Sequence, residues 1–577
     1  MSSLKTQRRA PVDDSHLPQH LSPVLRQLLA QRGVASEQEL LLNAKGLLHF
    51  SALTDSERAA QRIARAIAEQ QGICIVGDFD ADGATSTALL MLALPEFGAQ
   101  KLHYLVPNRF TDGYGLTPKL VDAAHAEGSQ LIITVDNGIA AHAGVERANQ
   151  LGMDVIITDH HLPGSSMPPA YAIVNPTRSD CAFASPNLAG VGVAFYLLLA
   201  LRAWYRQQQH PAAGVNVAQW LDLVALGTVA DVVSLDYNNR ILVQQGLARI
   251  RAGQCRPGIL ALLKASGRDP AKLQATDLGF TVAPRINAAG RLDDIQIGIE
   301  CLLSNDWQKV ERLAGQLDGL NRERRQTEQG MREDAAAYLA ELSFAEQKLP
   351  PVLSLHQSGW HQGVIGILAG RVKEQVYRPV IAFADADQGL LKGSARSVPG
   401  VHIRDLLERV YTLAPHTIQA FGGHAMAAGL TIEKIHYDEF TQVLQDVARD
   451  WIDDDILQQV VWSDGELTAA ELSLSFAEQL AALGPWGQSF SEPVFDGVFR
   501  VAQQRIVGEK HLKLVVQPQF SNEGGSGQTV DAIAFNVDTT RWPDPQCNYL
   551  RLAYKLQLNE FRGKTSLQLL VEHLEPL

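Results

Sequence analysis

Residues 72–90 read GICIVGDFDADGATSTALL, an apolar run that ends in three aspartates, Asp78, Asp80 and Asp82, just before Gly83. The run has the length and β-branched content of a buried strand, and the residues after Gly83 have a helical composition. Carboxylates at alternate positions leaving a strand project into one crevice, where their mutual repulsion must be relieved. Hard divalent cations relieve it by taking oxygen ligands. A chain with this run therefore needs a strand end that opens on a ligand crevice, and an open α/β sheet supplies one.

Two more runs end the same way. LIITVDNGI sets Asp136 after residues 131–135, and DVIITDHHLPG sets Asp159, His160 and His161 after residues 155–158. A further acid, Asp231, follows the apolar stretch LDLVALGTVADVV. Any one of these acids could merely cap a helix or begin a turn. Repetition in four separate segments points instead to convergence at strand carboxyl ends. Carboxylates with one or two imidazoles suit Mn²⁺ or Mg²⁺, and a bridging aspartate can hold two ions roughly 3.5–4 Å apart for phosphoryl chemistry.

The chain has 577 residues, which sets an expectation of three or four domains. A hydrophobic share of 46% and a charged share of 20% fit a soluble globular protein. The longest apolar stretch, 191–201, is far short of the roughly 20 residues that span a bilayer, so no membrane association is expected. The start, MSSLKTQRRAPVDDSH, has no apolar signal core, which argues against export. Cysteines at 74, 181, 255, 301 and 547 show no paired spacing, as expected of a reducing cytoplasm, and speak against a structural zinc site. The net charge of −13 runs against phosphate binding unless the basic surface is local. Residues 500–513 offer Arg500, Arg505, Lys510 and Lys513 against Glu509, although a solvated face explains them equally well.

Along the chain, residues 1–50 read as an amino-terminal arm. Residues 51–305 begin by alternating helices with short apolar strands, the rhythm of a mostly parallel sheet, and from 241 onward look helical apart from a loop-like APRINAAGR. Residues 306–345 have recurrent charge and almost no strand character, which predicts a long connecting helix. Strands return in a second α/β segment, 346–455, and residues 460–577 carry short β-branched runs with polar turns, as in a small β-barrel.

Asp80, Asp82 and Gly83, then Asp136, then Asp159-His160-His161, then Asp231 resemble the ordered motifs of the DHH phosphoesterases. The resemblance extends over nearly the whole chain through APRINAAGR, GSARS at 393–397 and FGGHAMAAG at 421–429, and is nearest to the bacterial single-strand-specific 5′ to 3′ DNA exonucleases of that superfamily. It implies a DHH domain, a DHHA1-type substrate-binding domain and an oligonucleotide-binding (OB-like) barrel. It also implies two divalent ions, Mn²⁺ or Mg²⁺, with Asp136 bridging, Asp80 on the first ion, and Asp82, His160 and Asp231 on the second. His161 would contact the phosphoryl oxygen or the nucleophile. Many relatives have a metal-ligating His where this chain has Val76; either Asp78 compensates as a ligand or it orients one from behind.

Arg109 and Arg285 look placed to hold the nucleic-acid backbone, with a structural salt bridge as the alternative for each. Ser394, Arg396 and His424 resemble elements that receive the substrate's 5′ end, and Tyr114 is either a stacking or a packing residue. The resemblance implies release of 5′ mononucleotides in recombination and repair, mismatch repair included, by a cytoplasmic monomer working with single-strand-binding protein and a RecQ-type helicase. Two alternatives are a phosphodiesterase of short oligonucleotides or cyclic dinucleotides, and a catalytically silent replication-fork scaffold. The extra carboxy-terminal barrel disfavours the first, and retention of every principal acid the second.

Overall fold

The computed structural model describes residues 4–108, 115–346, 349–453, 455–520, 528–561 and 563–577. The chain divides into two compact units, and the division falls within the 40-residue helix Trp307–Glu346.

One unit takes residues 11–321 and 478–492. Its sheet runs Leu102–Leu105, Gly72–Val76, Ser129–Val135, Asp154–Thr158, Ala172–Val174, with every pairing parallel. Ile73, Cys74, Ile75 and Val76 are wholly buried, as a parallel sheet covered on both faces requires. Alternate side chains go to opposite faces. Ile73, Ile75 and Leu131 join the core built by helices Ser56–Ala68, Ala81–Glu96 and Gly190–Gln207. Cys74, Val76 and Ile132 pack against Leu120, Val121 and Val145 from helices Pro118–Ala126 and His142–Gln150. From Gly72–Val76 the chain moves outward to Leu102–Leu105 and then returns to Ser129–Val135 on the other side. The two central strands therefore flank a topological switch point, where a crevice opens at their carboxyl ends.

Two stretches differ from expectation or refine it. APRINAAGR, expected as a loop, lies in the helix Ala283–Leu292, reached through a π-helical turn at Leu278–Val282. Its Pro284 sits in the first helical turn, where no backbone donor is needed, and a Cβ on Gly290 would fall 1.8 Å from the Phe79 carbonyl oxygen. The residues that read as loop punctuation are thus a helix start and a close backbone approach. The apolar stretch before Asp231 is the helix Leu221–Ala230, so this acid leaves a helix and not a strand.

The other unit takes residues 1–10, 322–477 and 493–577. It holds a mixed sheet in the order Ala420–Gly423, Ala427–Glu433, Leu390–Arg396, Val380–Asp385, Leu353–His356, in which only the last pair is parallel. Its core gathers Ile381, Phe383, Leu406, Leu407, Phe440 and Leu444. A closed five-stranded barrel follows, made of Phe495–Val507, His511–Gln519, Val530–Ala534, Lys564–Pro576 and Tyr549–Phe561. Phe495, Phe499, Leu552 and Tyr554 fill it. Lys5–Arg8 pairs with Val460–Ser463, and Arg8 reaches Asp496 at 2.8 Å. Among the described residues no helix is long and apolar enough to cross a membrane.

Candidate metal centre

Three of the acids that gather at the switch point, Asp78, Asp80 and Asp82, are fixed by backbone donors. Asp80 caps the helix Ala81–Glu96, its Oδ1 accepting from the amides of Asp82 at 2.9 Å and Gly83 at 3.0 Å. Asp78 Oδ1 accepts from the Phe79 amide at 2.7 Å. The Asn287 side-chain oxygen takes the Ala81 amide at 2.8 Å, tying the helix Ala283–Leu292 to the acidic loop. Asp82, 1% exposed, accepts from Gly190 at 2.6 Å and Val191 at 2.9 Å, the opening amides of the helix Gly190–Gln207.

Asp136 leaves its strand in the left-handed region, φ 61°, which aspartate tolerates better than most side chains. A Cβ on Gly190 would sit 2.6 Å from Asp136 Cβ and 2.8 Å from its Oδ1, so this helix approaches closely only because it starts with glycine.

Asp159 is the hub of the DHH triplet. It accepts from the amides of Ile139, His160 and His161 and from His161 Nδ1 at 2.7 Å. Sequence reasoning named it in the motif but gave it no role; it orients His161. A glycine before an apolar helix carries no visible signal of the role Gly190 plays, and Asn287 lies inside APRINAAGR, whose loop-like look conceals its helical position.

Burial, then repulsion from Asp82, Asp80, Asp231 and Asp78, pushes the Asp136 carboxyl far above the usual range. Asp231 is raised by burial and by Asp82, Asp80 and Asp78, and it also meets the negative end of the helix it caps. Asp82 is pushed up to about 7 by burial and Asp80, despite its two amide donors. Burial would lower the His161 pKa, but the bond to Asp159 and the charges of Asp159, Asp78 and Asp80 outweigh it and raise it. Burial would likewise raise Asp159, yet its bond to His161 and the charges of both histidines draw it down.

Asp78, Asp80 and Asp136 can each turn a ligand atom within 4.8 Å of the others, as can Asp82, His160 and Asp231, and also Asp136, His160 and His161. His160 Nε2 lies 3.1 Å from Asp136 Oδ1 and 3.4 Å from Asp231 Oδ2. Asp136 thus belongs to groups on either side of it. Crowded carboxylate oxygens, joined in the second group by the His160 imidazole, are a donor set that fits Mn²⁺ or Mg²⁺, and dications would remove the repulsion that now raises the acids. Val76 is wholly buried within the sheet's apolar face, whereas Asp78 joins the first group.

The remaining sequence candidates fall elsewhere. Arg109 and Tyr114 lie outside the described residues. Arg285 is 7% exposed, and its guanidinium is engaged by Asp318 at 2.8 Å and by the Thr281 carbonyl at 2.6 Å, the arrangement of a structural ion pair. In the mixed sheet Ser394 and Arg396 follow one another on one face of their strand, and Arg396 donates to Ser394 Oγ at 3.1 Å. A Cβ on Gly366, in the first turn of the helix Ile365–Val376, would fall 2.9 Å from Ser394 Oγ and 3.0 Å from the Arg396 guanidinium. Ser394 pairs with Gly429 and Arg396 with Ala427, placing them beside the hairpin whose turn carries exposed His424. On the barrel, Arg500, Arg505 and Lys510 are exposed, while Lys513 is drawn to Asp531 at 3.0 Å.

Known proteins resemble this chain along its length. Residues 72–228 match the DHH family N-terminal domain, 345–451 the DHHA1 domain and 463–573 the RecJ OB domain. A protein of Dickeya dadantii named single-stranded-DNA-specific exonuclease RecJ is 55% identical over 99% of both chains. One of the same name from Escherichia coli K12 is 53% identical, again over 99% of both. The crystal structure of RecJ from Thermus thermophilus in complex with Mn²⁺ superposes with a TM-score of 0.79 at 29% identity, covering 97% of this chain and 76% of that one. The same protein in complex with Mg²⁺ gives a TM-score of 0.72 at 26% identity, covering 97% and 75%. With the ordered acids at the switch point, a closed barrel and relatives of this identity over the full length, the chain belongs to the RecJ family of DHH proteins.

Proposed function

We propose that this protein is a metal-dependent exonuclease that removes 5′ mononucleotides from single-stranded DNA, progressing 5′ to 3′. The observation that carries the reading is the pair of ligand groups meeting at Asp136, within a chain that matches single-stranded-DNA-specific exonucleases end to end. Asp78, Asp80 and Asp136 would hold one Mn²⁺ or Mg²⁺ ion, and Asp82, His160 and Asp231, with Asp136 shared, the other. Ions held by these residues would supply activation of a water molecule as nucleophile and stabilisation of charge on the leaving 3′ oxygen.

The protein's own part is largely positioning. Asp80 and Asp82 are pinned by amide donors, so their lone pairs stay aimed without rearrangement as charge shifts during hydrolysis. With Nδ1 held by Asp159, His161 is left to meet substrate through Nε2, where an imidazolium would donate a hydrogen bond to a phosphoryl oxygen. Ser394, Arg396 and the first turn of the helix Ile365–Val376 form an anion site suited to a 5′ phosphate. Exposed Arg500, Arg505 and Lys510 on the barrel would follow the strand's backbone despite the overall negative charge. The protein acts as a cytoplasmic monomer in recombination and repair, alongside single-strand-binding protein and a RecQ-type helicase.

Digestion of a long single strand labelled separately at each end, with Mg²⁺ or Mn²⁺, tests this. Early mononucleotide release from the 5′ label alone, abolished in Asp136→Ala and absent on duplex, is expected. Preference for dinucleotides, or no metal-dependent cleavage at all, would overturn it.

A further inference from the structure

We infer a second, surface metal site, for Zn²⁺, formed by His416, His436 and Glu439 on the mixed sheet's side of the molecule. Each of the three can turn a ligand atom within 4.8 Å of the other two. His416 Nε2 stands 2.9 Å from Glu439 Oε1, and His436 Nδ1 stands 3.7 Å from Oε2. Donors on a tetrahedral Zn²⁺ with bonds of about 2.0 Å lie about 3.3 Å apart, within about half an ångström of both separations, which are made to the two oxygens of the one Glu439 carboxylate. The imidazole rings are 5.3 Å apart at their centres and nearly perpendicular, which lets two nitrogens face one point. Two imidazoles with one carboxylate select Zn²⁺ over Mg²⁺ or Mn²⁺. The side chains are 55%, 27% and 50% exposed for His416, His436 and Glu439, so water can complete the coordination. No cysteine is involved, which is why cysteine spacing gives no sign of the site.

The ligands come from both ends of one hairpin. His416 lies in the short 3₁₀ turn Pro415–Thr417 that leads into the strand Ala420–Gly423. His436 closes the turn Lys434–His436 that follows Ala427–Glu433, and Glu439 is in the first turn of the helix Tyr437–Trp451. Gln419 already joins these ends, its amide donating to the Thr431 carbonyl at 2.9 Å and its side chain to Glu433 Oε1 at 3.0 Å. An ion at His416, His436 and Glu439 clips the open end of the hairpin whose opposite turn carries His424. It binds the folded hairpin and not the opened one, so it suppresses local opening by mass action.

Hydrogen exchange followed by mass spectrometry on the full chain tests the site independently of the acidic centre. At a Zn²⁺ concentration ten times the dissociation constant, amides of residues 414–440 should exchange about tenfold more slowly. That slowing should disappear in His416→Ala/His436→Ala and in the isosteric Glu439→Gln, and persist in Asp136→Asn. No Zn²⁺-dependent slowing in the wild type, its persistence in the His416/His436/Glu439 variants, or its loss in Asp136→Asn would overturn the inference.

Discussion

The two sheets present opposite electrostatic problems at their ligand-facing edges. At the parallel sheet's switch point, buried Asp82 and Asp136 and half-buried Asp231 are crowded together and raised in pKa, each held by the fold in spite of its neighbours. In the mixed sheet, Arg396 is lowered in pKa by burial, contacts Ser394 Oγ and the Ala395 carbonyl, and has no carboxylate within ion-pair distance among the described residues. One edge calls for cations and the other for an anion, and on the proposed function divalent metal ions and a 5′ phosphate group would supply them. Unrelieved charge at a rigid site signals what the site is built to take up.

Asp136→Asn keeps the shape and the left-handed backbone while removing a charge from the most crowded point. Nuclease activity should fall by at least roughly a thousandfold, since on the proposed assignment Asp136 is shared by both ions. Stability in chelator should rise, because a buried repulsion disappears. Thermal unfolding with and without Mn²⁺ measures both sides. A variant that is inactive but no more stable in chelator would mean that the acids do not strain the fold. Gly190→Ala should have the next largest effect. Its Cβ would overlap Asp136, so either the helix or the aspartate must move, costing about 1–3 kcal/mol of stability and roughly tenfold or more in activity. Urea titration and a single-turnover assay would show whether backbone closeness, and not charge alone, places Asp136.

These residues also mark what the sequence discloses. The acids of the switch point are legible because strand periodicity fixes where each run ends and because their order along the chain is distinctive. The strands Gly72–Val76, Ser129–Val135 and Asp154–Thr158 coincide with the apolar runs that announce them. Gly190 and Asn287 act through approach and orientation, which depend on which helices meet and have no signature in a local window, whereas Asp159 lies inside the DHH triplet and orients its own neighbour His161. APRINAAGR misleads for a related reason. Proline and glycine there serve a helix start and a tight contact, and only the packed neighbour, the Phe79 carbonyl, distinguishes that from a loop. Arg285 is conspicuous as an arginine, yet Asp318, 33 positions away, decides what it binds.

On the mixed sheet the expected effects are smaller. Arg396→Ala should lower kcat/KM about tenfold on strands with a 5′ phosphate and much less on strands with a 5′ hydroxyl, since one charge-assisted contact is lost. Equal losses on both substrates would show that Arg396 supports the sheet and does not read the end group, and the contrast between the two edges would then reduce to the acids alone.

The mixed sheet also carries an acid whose charge is already neutralised. Asp385, at the end of Val380–Asp385, is held by Lys434 at 2.7 Å, with Ser358 at 3.0 Å and His356 at 3.2 Å, and its carboxyl is drawn down to about 2, foremost by the Lys434 bond. A depressed folded pKa means that the protonated carboxyl is less welcome in the fold than in the unfolded chain. Its stabilisation is therefore complete above the unfolded value of about 4 and fades as pH falls from about 4 toward 2. Both partners are more than a third exposed in the Lys434 pair or close to it, so solvent screening limits the contribution to below about 1 kcal/mol. Lys434→Ala should lower stability by that amount at pH 7 and by progressively less toward pH 2, as read from urea midpoints across the range. In the acidic centre the sign reverses. There the folded pKa is raised, so without bound ions protonation stabilises, and lowering the pH in chelator through about 7 should relieve Asp82 while it leaves Asp385 untouched.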